Sequence, residues 1–260
     1  MPIKATFASL AALIAAGALG YSLIGTSQAV EDGISSADTE RVEKIVKNYL
    51  MENPEIIIEA LREYENKMAR EAEAKAKQGV TEYMPAILAG EAGHIGGAKP
   101  ENAKVVVMEL FDYHCGFCKK ATGLVADLTD EKDVAIAFLE LPILREESDL
   151  SAKMALAARE QGKYEDLHFA MMNSGGILTE TRIKELAKRA GLDTKQLQKD
   201  FDAGAYEATL AKSQEIAQKM DIQGTPAFIV ASADGSYTEI IRGWDPAEIK
   251  KAIKFARKAN

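Results

Sequence analysis

Hydrophobic residues recur along this chain with two different periods, and the changes of period mark its parts. An almost unbroken apolar run, rich in Ala and Leu, covers residues 7–24 behind Lys4. After a polar stretch, Val42, Ile45, Val46, Tyr49 and Leu50 fall on one face at helical spacing, with Asp38 or Thr39 placed to cap the start. Asn53-Pro54 then reads as a cap followed by proline at the first position of a second helix. In that helix Ile57, Leu61, Tyr64 and Met68 make a seam of about two heptads, before residues 70–77 turn polar. Such a seam either packs on its own domain or joins copies of the chain. Residues 79–99, with Gly90, Gly93, Gly96 and Gly97, predict a linker or loop.

From residue 104 the pattern becomes that of an α/β domain. Residues 104–111 form an apolar run short enough to be a buried strand, and residues 133–139 alternate Val134, Ile136 and Phe138 with smaller side chains. The stretch between them has helical composition, so the three predict a βαβ unit with parallel strands and a right-handed crossover. Residues 148–200 predict a helical insertion, through Met154, Leu156 and Ala157, then Leu167, Phe169 and Met172, then Ile183, Leu186 and Ala187. A further helix over about 204–219 leads to the apolar strand 227–230. Pro226 belongs at a strand entry or in a cis turn because it cannot donate to a sheet. Asp234-Gly235 predicts a hairpin into an antiparallel strand, and Asp245-Pro246 opens a closing helix carrying Ile249, Ile253 and Phe255. His168, Trp244 and the methionines of the insertion read as packing residues.

Composition narrows the setting. The basic residue, apolar run and small residues Ser27-Gln28-Ala29 predict a secretory signal over 1–29, and the run's length leaves an uncleaved membrane anchor open. Removing Lys4 with that segment changes the net charge from −8 to −9, an acidic balance that argues against nucleic acid. Residues 30–100 then form a helical arm and linker, and residues 101–260 the catalytic domain.

The chemistry concentrates at Cys115-Gly116-Phe117-Cys118, which holds both cysteines of the chain. At a strand-to-helix junction the first sulfur meets unpaired N–H groups and the positive end of the helix dipole, where an anion is favoured. Thiolates so placed are nucleophiles and good leaving groups, so disulfide exchange is the leading reading. Cys115 is expected to be exposed and reactive and Cys118 buried. A zinc site lacks ligands, since no other Cys exists and His94, His114 and His168 have no finger-like spacing. A structural disulfide across so short a loop would restrain little chain entropy. Neither a metal nor another cofactor is expected. Glu109 interrupts the first strand on the same face as Phe111, which places it beneath the active-site helix as a proton relay for Cys118, or else as a salt-bridged edge acid. Asp112 is expected nearer the solvent.

Taken in order, strand, Cys-x-x-Cys helix, strand, helical insertion, helix, Thr-Pro strand, hairpin and helix, residues 104–258 resemble the DsbA-like branch of the thioredoxin superfamily. The resemblance implies that Cys115 is the nucleophile, Cys118 the resolving thiol and Glu109 the buried acid. It also implies that Thr225 and the cis-proline Pro226 offer backbone groups to a cysteine-containing peptide. His114 and Lys119 would add positive or hydrogen-bonding character beside the thiolate. Gly116-Phe117 and the Thr before the cis-proline look more like periplasmic disulfide isomerases and reductases than like the best-known oxidase. The arm resembles the oligomerisation segment of the suppressor-of-copper-sensitivity protein C (ScsC) family, which implies a homo-oligomer, with a trimer favoured, through residues 39–70. The expected partners are cysteine-containing exported proteins and a membrane redox protein that recycles the dithiol. A monomeric dithiol oxidase and a copper-handling thiol protein, since paired soft thiolates suit Cu(I), stay open as alternatives.

Overall fold

The computed structural model describes residues 36–204 and 206–259. The segment read as an export signal lies outside the described residues. Among the described residues, no helix is long and apolar enough to cross a membrane. The chain divides after Ala60 into two compact units.

In the first unit, helix α1 (Ser36–Glu52) is followed by the start of α2 (Glu55–Leu88). Asn53 acts opposite to expectation: its side-chain amide donates to the Tyr49 carbonyl at 2.8 Å, closing α1 rather than capping α2. The predicted stripe is present, but Val42, Ile45, Val46 and Tyr49 are exposed. Val42, Val46, Leu50, Met51 and Ile57 line an apolar hollow of about 500 Å³. Leu61, Tyr64 and Met68, further along α2, are exposed as well.

The second unit contains a five-stranded sheet. In chain order its elements are β1 (His94–Gly97), β2 (Val105–Phe111), α3 (Gly116–Thr129), β3 (Val134–Glu140), α4 (Glu146–Ala157), α5 (Tyr164–Met172), α6 (Glu180–Arg189), α7 (Thr194–Asp202), α8 (Glu207–Lys219), β4 (Ala227–Ser232), β5 (Thr238–Arg242) and α9 (Pro246–Ala259). The strands lie in the order β1-β3-β2-β4-β5. β2 and β3 run parallel, as the βαβ pattern predicts, and the other three pairings are antiparallel.

Because side chains alternate across a strand, β2 feeds two cores. Val105, Val107 and Phe111 face a core shared with α3, α9 and the helical insertion, whereas Val106, Met108 and Leu110 face Val80, Tyr83 and Ile87 of α2 and Ile216 and Ala217 of α8. The central strands are therefore buried on both faces, which suits a continuous apolar run.

Two further expectations are overturned by the sheet and the closing helix. Residues 79–99 are not a linker: α2 continues to Leu88, and residues 94–97 are an edge strand of the sheet. The glycines there serve close approach rather than flexibility. A Cβ on Gly93 would lie 2.1 Å from the Phe138 carbonyl oxygen, and one on Gly79 would lie 3.1 Å from the Met220 side chain. Phe255, read as part of the apolar face of the closing helix, is 46% exposed, while Ile249 and Ile253 are buried.

Candidate active site

Cys115 is the N-cap of α3, with extended backbone angles, and Cys118 lies one turn further on. Both are free thiols. The first turn of α3 contains no acidic residue, so the positive helix end beside Cys115 is unopposed from within its own helix. The Cys118 side chain is fully buried with Ala121 and Val125, and burial pushes its thiol well above the ordinary range. Cys115 is less open than expected, at 6% exposure. Its thiol donates to the Thr225 carbonyl at 3.2 Å, so the turn before β4 covers it. Phe117, between the two cysteines, is 57% exposed, with the Lys120 ammonium 4.9 Å from its ring centre.

The Thr225–Pro226 peptide is cis. Residues 221–226 with Arg242 and Gly243 line a groove of about 470 Å³ over this turn. The Thr225 hydroxyl is buried and has no hydrogen-bond partner among the described residues.

Glu109 stands in the middle of the sheet, in register with Phe138 on β3 and Phe228 on β4. Neither carboxyl oxygen has a hydrogen-bond partner among the described residues. Burial, and next the charge at Cys115, pushes its pKa up from 4.5 to about 8. The edge-acid alternative does not survive this geometry: Glu109 lies on a central strand and makes no ion pair among the described residues.

Asp112 is buried rather than solvated. One of its oxygens accepts from the His114 amide and the Ser148 hydroxyl, both at 2.7 Å; the other accepts from the amides of Ile143 at 2.9 Å and Leu144 at 3.0 Å. It ties the turn before the cysteines to the loop after β3 and to α4. His114 and Lys119 are directed elsewhere than expected. His114 Nδ1 is 3.0 Å from the Ser148 hydroxyl and Nε2 accepts from the Leu178 amide at 3.1 Å. With Nε2 accepting, the ring is the neutral Nδ1–H tautomer, and burial lowers its pKa from 6.5. It therefore holds the loop before α6 and supplies no positive charge. Lys119 Nζ donates to the carbonyls of Met171, Met172 and Ser174 at 3.2, 3.3 and 2.7 Å, which caps the end of α5.

A third buried carboxylate, beside Glu109 and Asp112, escaped the sequence reading. Glu140 closes β3 in register with Phe111. One of its oxygens accepts from the phenols of Tyr113 at 3.1 Å and Tyr164 at 2.7 Å. Since Tyr113 gives its proton to Glu140, His168 Nδ1, 3.1 Å away, donates to the Tyr113 oxygen. Burial pushes Glu140 well above the usual carboxylate range and His168 down to about 3. His168 packs edge-on against Phe111 and Phe138, so its packing role carries a polar one as well. The available signal was an acid ending an apolar strand, the same sign that singled out Glu109.

A dithiol at a helix N-terminus, facing a cis-proline turn over a buried acid, defines a thioredoxin-like thiol–disulfide oxidoreductase. The DSBA-like thioredoxin domain matches residues 106–254, and the chain belongs to that family. The copper resistance protein ScsC N-terminal domain matches residues 38–71. A thioredoxin-like oxidoreductase from Silicibacter pomeroyi DSS-3 is 37% identical, with 67% of this chain and 98% of that one covered at a TM-score of 0.60. BcfH of Salmonella enterica Typhimurium is 28% identical over 85% of this chain and 96% of its own, at 0.69. Proteus mirabilis ScsC in a transitional conformation is 26% identical over 87% and 100%, at 0.60. Among curated relatives, the Na(+)/H(+) antiporter NhaA 3 of Salinispora tropica is 26% identical over 53% of this chain, which spans 21% of that protein's length.

Proposed function

We propose that the protein acts in the periplasm as a disulfide isomerase and reductase for cysteine-containing exported proteins, assembled through its arm. The observation that carries this reading is the apolar seam Ile57, Leu61, Tyr64 and Met68, exposed along α2 in the same chain as the dithiol. Several dithiols on one assembly raise the local thiol concentration around a misfolded substrate, which isomerisation needs more than simple oxidation does. The match of residues 38–71 to the ScsC N-terminal domain supports the same assignment. We favour a trimer, recycled by a membrane redox protein.

In the reaction, the Cys115 thiolate attacks one sulfur of a substrate disulfide. A new S–S bond joins Cys115 to the substrate, the substrate S–S bond breaks, and the departing thiolate takes a proton from solvent. In isomerisation a second substrate thiolate attacks the mixed disulfide and releases Cys115 as thiolate. In reduction the Cys118 thiolate attacks the Cys115 sulfur, the Cys115–Cys118 bond forms, the mixed S–S bond breaks and the substrate's remaining sulfur leaves as a thiolate, so the dithiol is oxidised and the substrate disulfide reduced by two electrons. Cys118 must lose its proton for this step, and burial opposes that. Glu109 is the base: the charge at Cys115 helps hold its proton. Formation of the mixed disulfide removes that charge and so lowers the carboxyl's hold on its proton, while burial continues to raise it.

Reactivation of a scrambled disulfide protein by the mature chain, compared with oxidation of the reduced form, tests the proposal. Restored activity from scrambled substrate is expected, as are mixed disulfides trapped by Cys118→Ser. Activity confined to reduced substrate would select a dithiol oxidase, the reading favoured by the 24% identity to the probable disulfide bond formation protein D of Bacillus cereus over 50% of this chain.

A further inference from the structure

A second groove in the residue 61–260 unit lies away from the cysteines. It has a volume of about 430 Å³ and runs between α2 and β5. Its helix wall is small because Ala69, Ala72 and Ala76 follow one another at spacings of three and four on one face. The opposite wall is a sheet edge: β5 is last in the strand order and pairs only with β4 among the described residues. An unpaired edge offers alternating N–H and C=O groups to another extended chain. Four charged side chains line the groove, and Glu73 and Glu239 balance Lys77 and Arg242. Such a lining selects backbone over any particular charge.

The groove also has a direction. Arg242 lines both it and the groove over the Thr225–Pro226 turn, and Arg242 stands opposite Ala227, the residue after that proline. The two hollows therefore meet at one side chain, with the Cys115 thiol at the far end against Thr225. From Arg242 to Thr238 the edge extends about 13 Å at the usual rise per residue.

We propose that the α2–β5 groove holds an extended, non-native segment of the substrate polypeptide, continuing from the cysteine engaged at the Thr225–Pro226 turn and adding as a strand to β5. Sequence tolerance follows from backbone pairing and the balanced charges, and suits a protein that must accept chains in many wrong pairings. The inference deepens the proposed function and rests on it for the identity of the substrate, but its test does not use redox chemistry.

The probe is an unfolded protein whose cysteines have been alkylated. In a full-length chain carrying Cys115→Ser and Cys118→Ser, Lys77→Cys bears a benzophenone. Illumination is expected to cross-link the probe at this position and not at a label on the exposed face of α9. Absence of a cross-link at residue 77 overturns the proposal. In the chain with both cysteines intact, Ala69→Phe with Ala72→Leu fills the groove. Probe binding is expected to weaken by about tenfold or more, and KM for a scrambled protein to rise, while turnover of a small disulfide stays unchanged. Unaltered probe binding by a variant with normal small-disulfide turnover overturns the proposal. Self-association through the groove, seen as a mass change abolished by the filling substitutions, would replace the substrate segment with a second copy. Probe binding that persists in a protein inactive on scrambled substrates retains the groove and refutes only the isomerase assignment.

Discussion

The Cys115 thiol donates to the Thr225 carbonyl at 3.2 Å, so the thiol we propose as nucleophile is held by the same turn that we propose receives the substrate backbone. Under the proposed function, a peptide pairing with this turn would compete for that carbonyl and free the thiol as it docks. The Thr225 hydroxyl beside it is buried without a partner among the described residues. Thr225→Val is expected to keep or raise stability, by up to about 1 kcal/mol, because it replaces an unsatisfied hydroxyl with a methyl of similar size. It is also expected to move activity from isomerisation toward oxidation. Denaturant unfolding and the two refolding assays check both halves; a loss of about 2 kcal/mol or more would show a hydroxyl contact that matters.

Glu109 imposes a cost that grows with pH. Its folded pKa of about 8 lies above the ordinary 4.5, so the folded state holds a proton that the unfolded chain gives up first. Below about 4.5 the two states are alike; stability falls as pH rises through that value and levels off once the pH passes about 8. Glu109→Gln is expected to match the parent near pH 4 and exceed it by a few kcal/mol near pH 9. It should also slow the Cys118 step, so mixed disulfides accumulate. A stability difference independent of pH would remove Glu109 as the titrating group.

At Glu140 the geometry separates two substitutions. Glu140→Ala leaves the buried phenols of Tyr113 and Tyr164 without their shared acceptor, a loss of about 2–5 kcal/mol. Glu140→Gln keeps an acceptor oxygen and is expected to cost no more than about 1.5 kcal/mol. Denaturant midpoints of the two variants decide the point; equal losses would assign the effect to the carboxyl group itself, because Gln keeps both the volume and an acceptor oxygen for the phenols.

His168 acts on the acid side. Its folded pKa of about 3 lies below the ordinary 6.5, so the unfolded chain binds the proton first as pH falls. The stability of the neutral ring is fully present above about 6.5 and is lost progressively toward 3. His168→Gln should flatten this limb of the stability profile. An unchanged acid limb would place its origin in the other carboxylates and histidines.

For the arm, Leu61→Glu with Met68→Glu places like charges at two exposed seam positions and is expected to yield monomers. Such monomers should lose reactivation of scrambled substrate and keep dithiol oxidation. Light scattering that finds the unsubstituted mature protein already monomeric would remove the arm from the mechanism and favour the oxidase.

Sequence periodicity alone determined the order of elements from β2 to α9 except α7, which it did not separate within the helical insertion, together with the parallel pairing of β2 with β3 and the placement of both cysteines at a helix start. These features are local: strand and helix periods differ, and a Cys-x-x-Cys at their junction needs no distant contact to be recognised. Glu109 was legible for a related reason, since an acid inside an apolar strand is costly wherever that strand lies. Tertiary structure decided the rest. Gly93 looked like a flexible joint until the Phe138 carbonyl was found where its Cβ would stand, and that contact spans 45 residues of sequence. Asp112, His114 and Lys119 lie beside the cysteines in the chain, yet each is taken up by partners from α4, the end of α5 or the loop before α6. Hydrogen bonds to residues more than 30 positions away set their direction and charge, and nothing in the spacing of a motif encodes such partners.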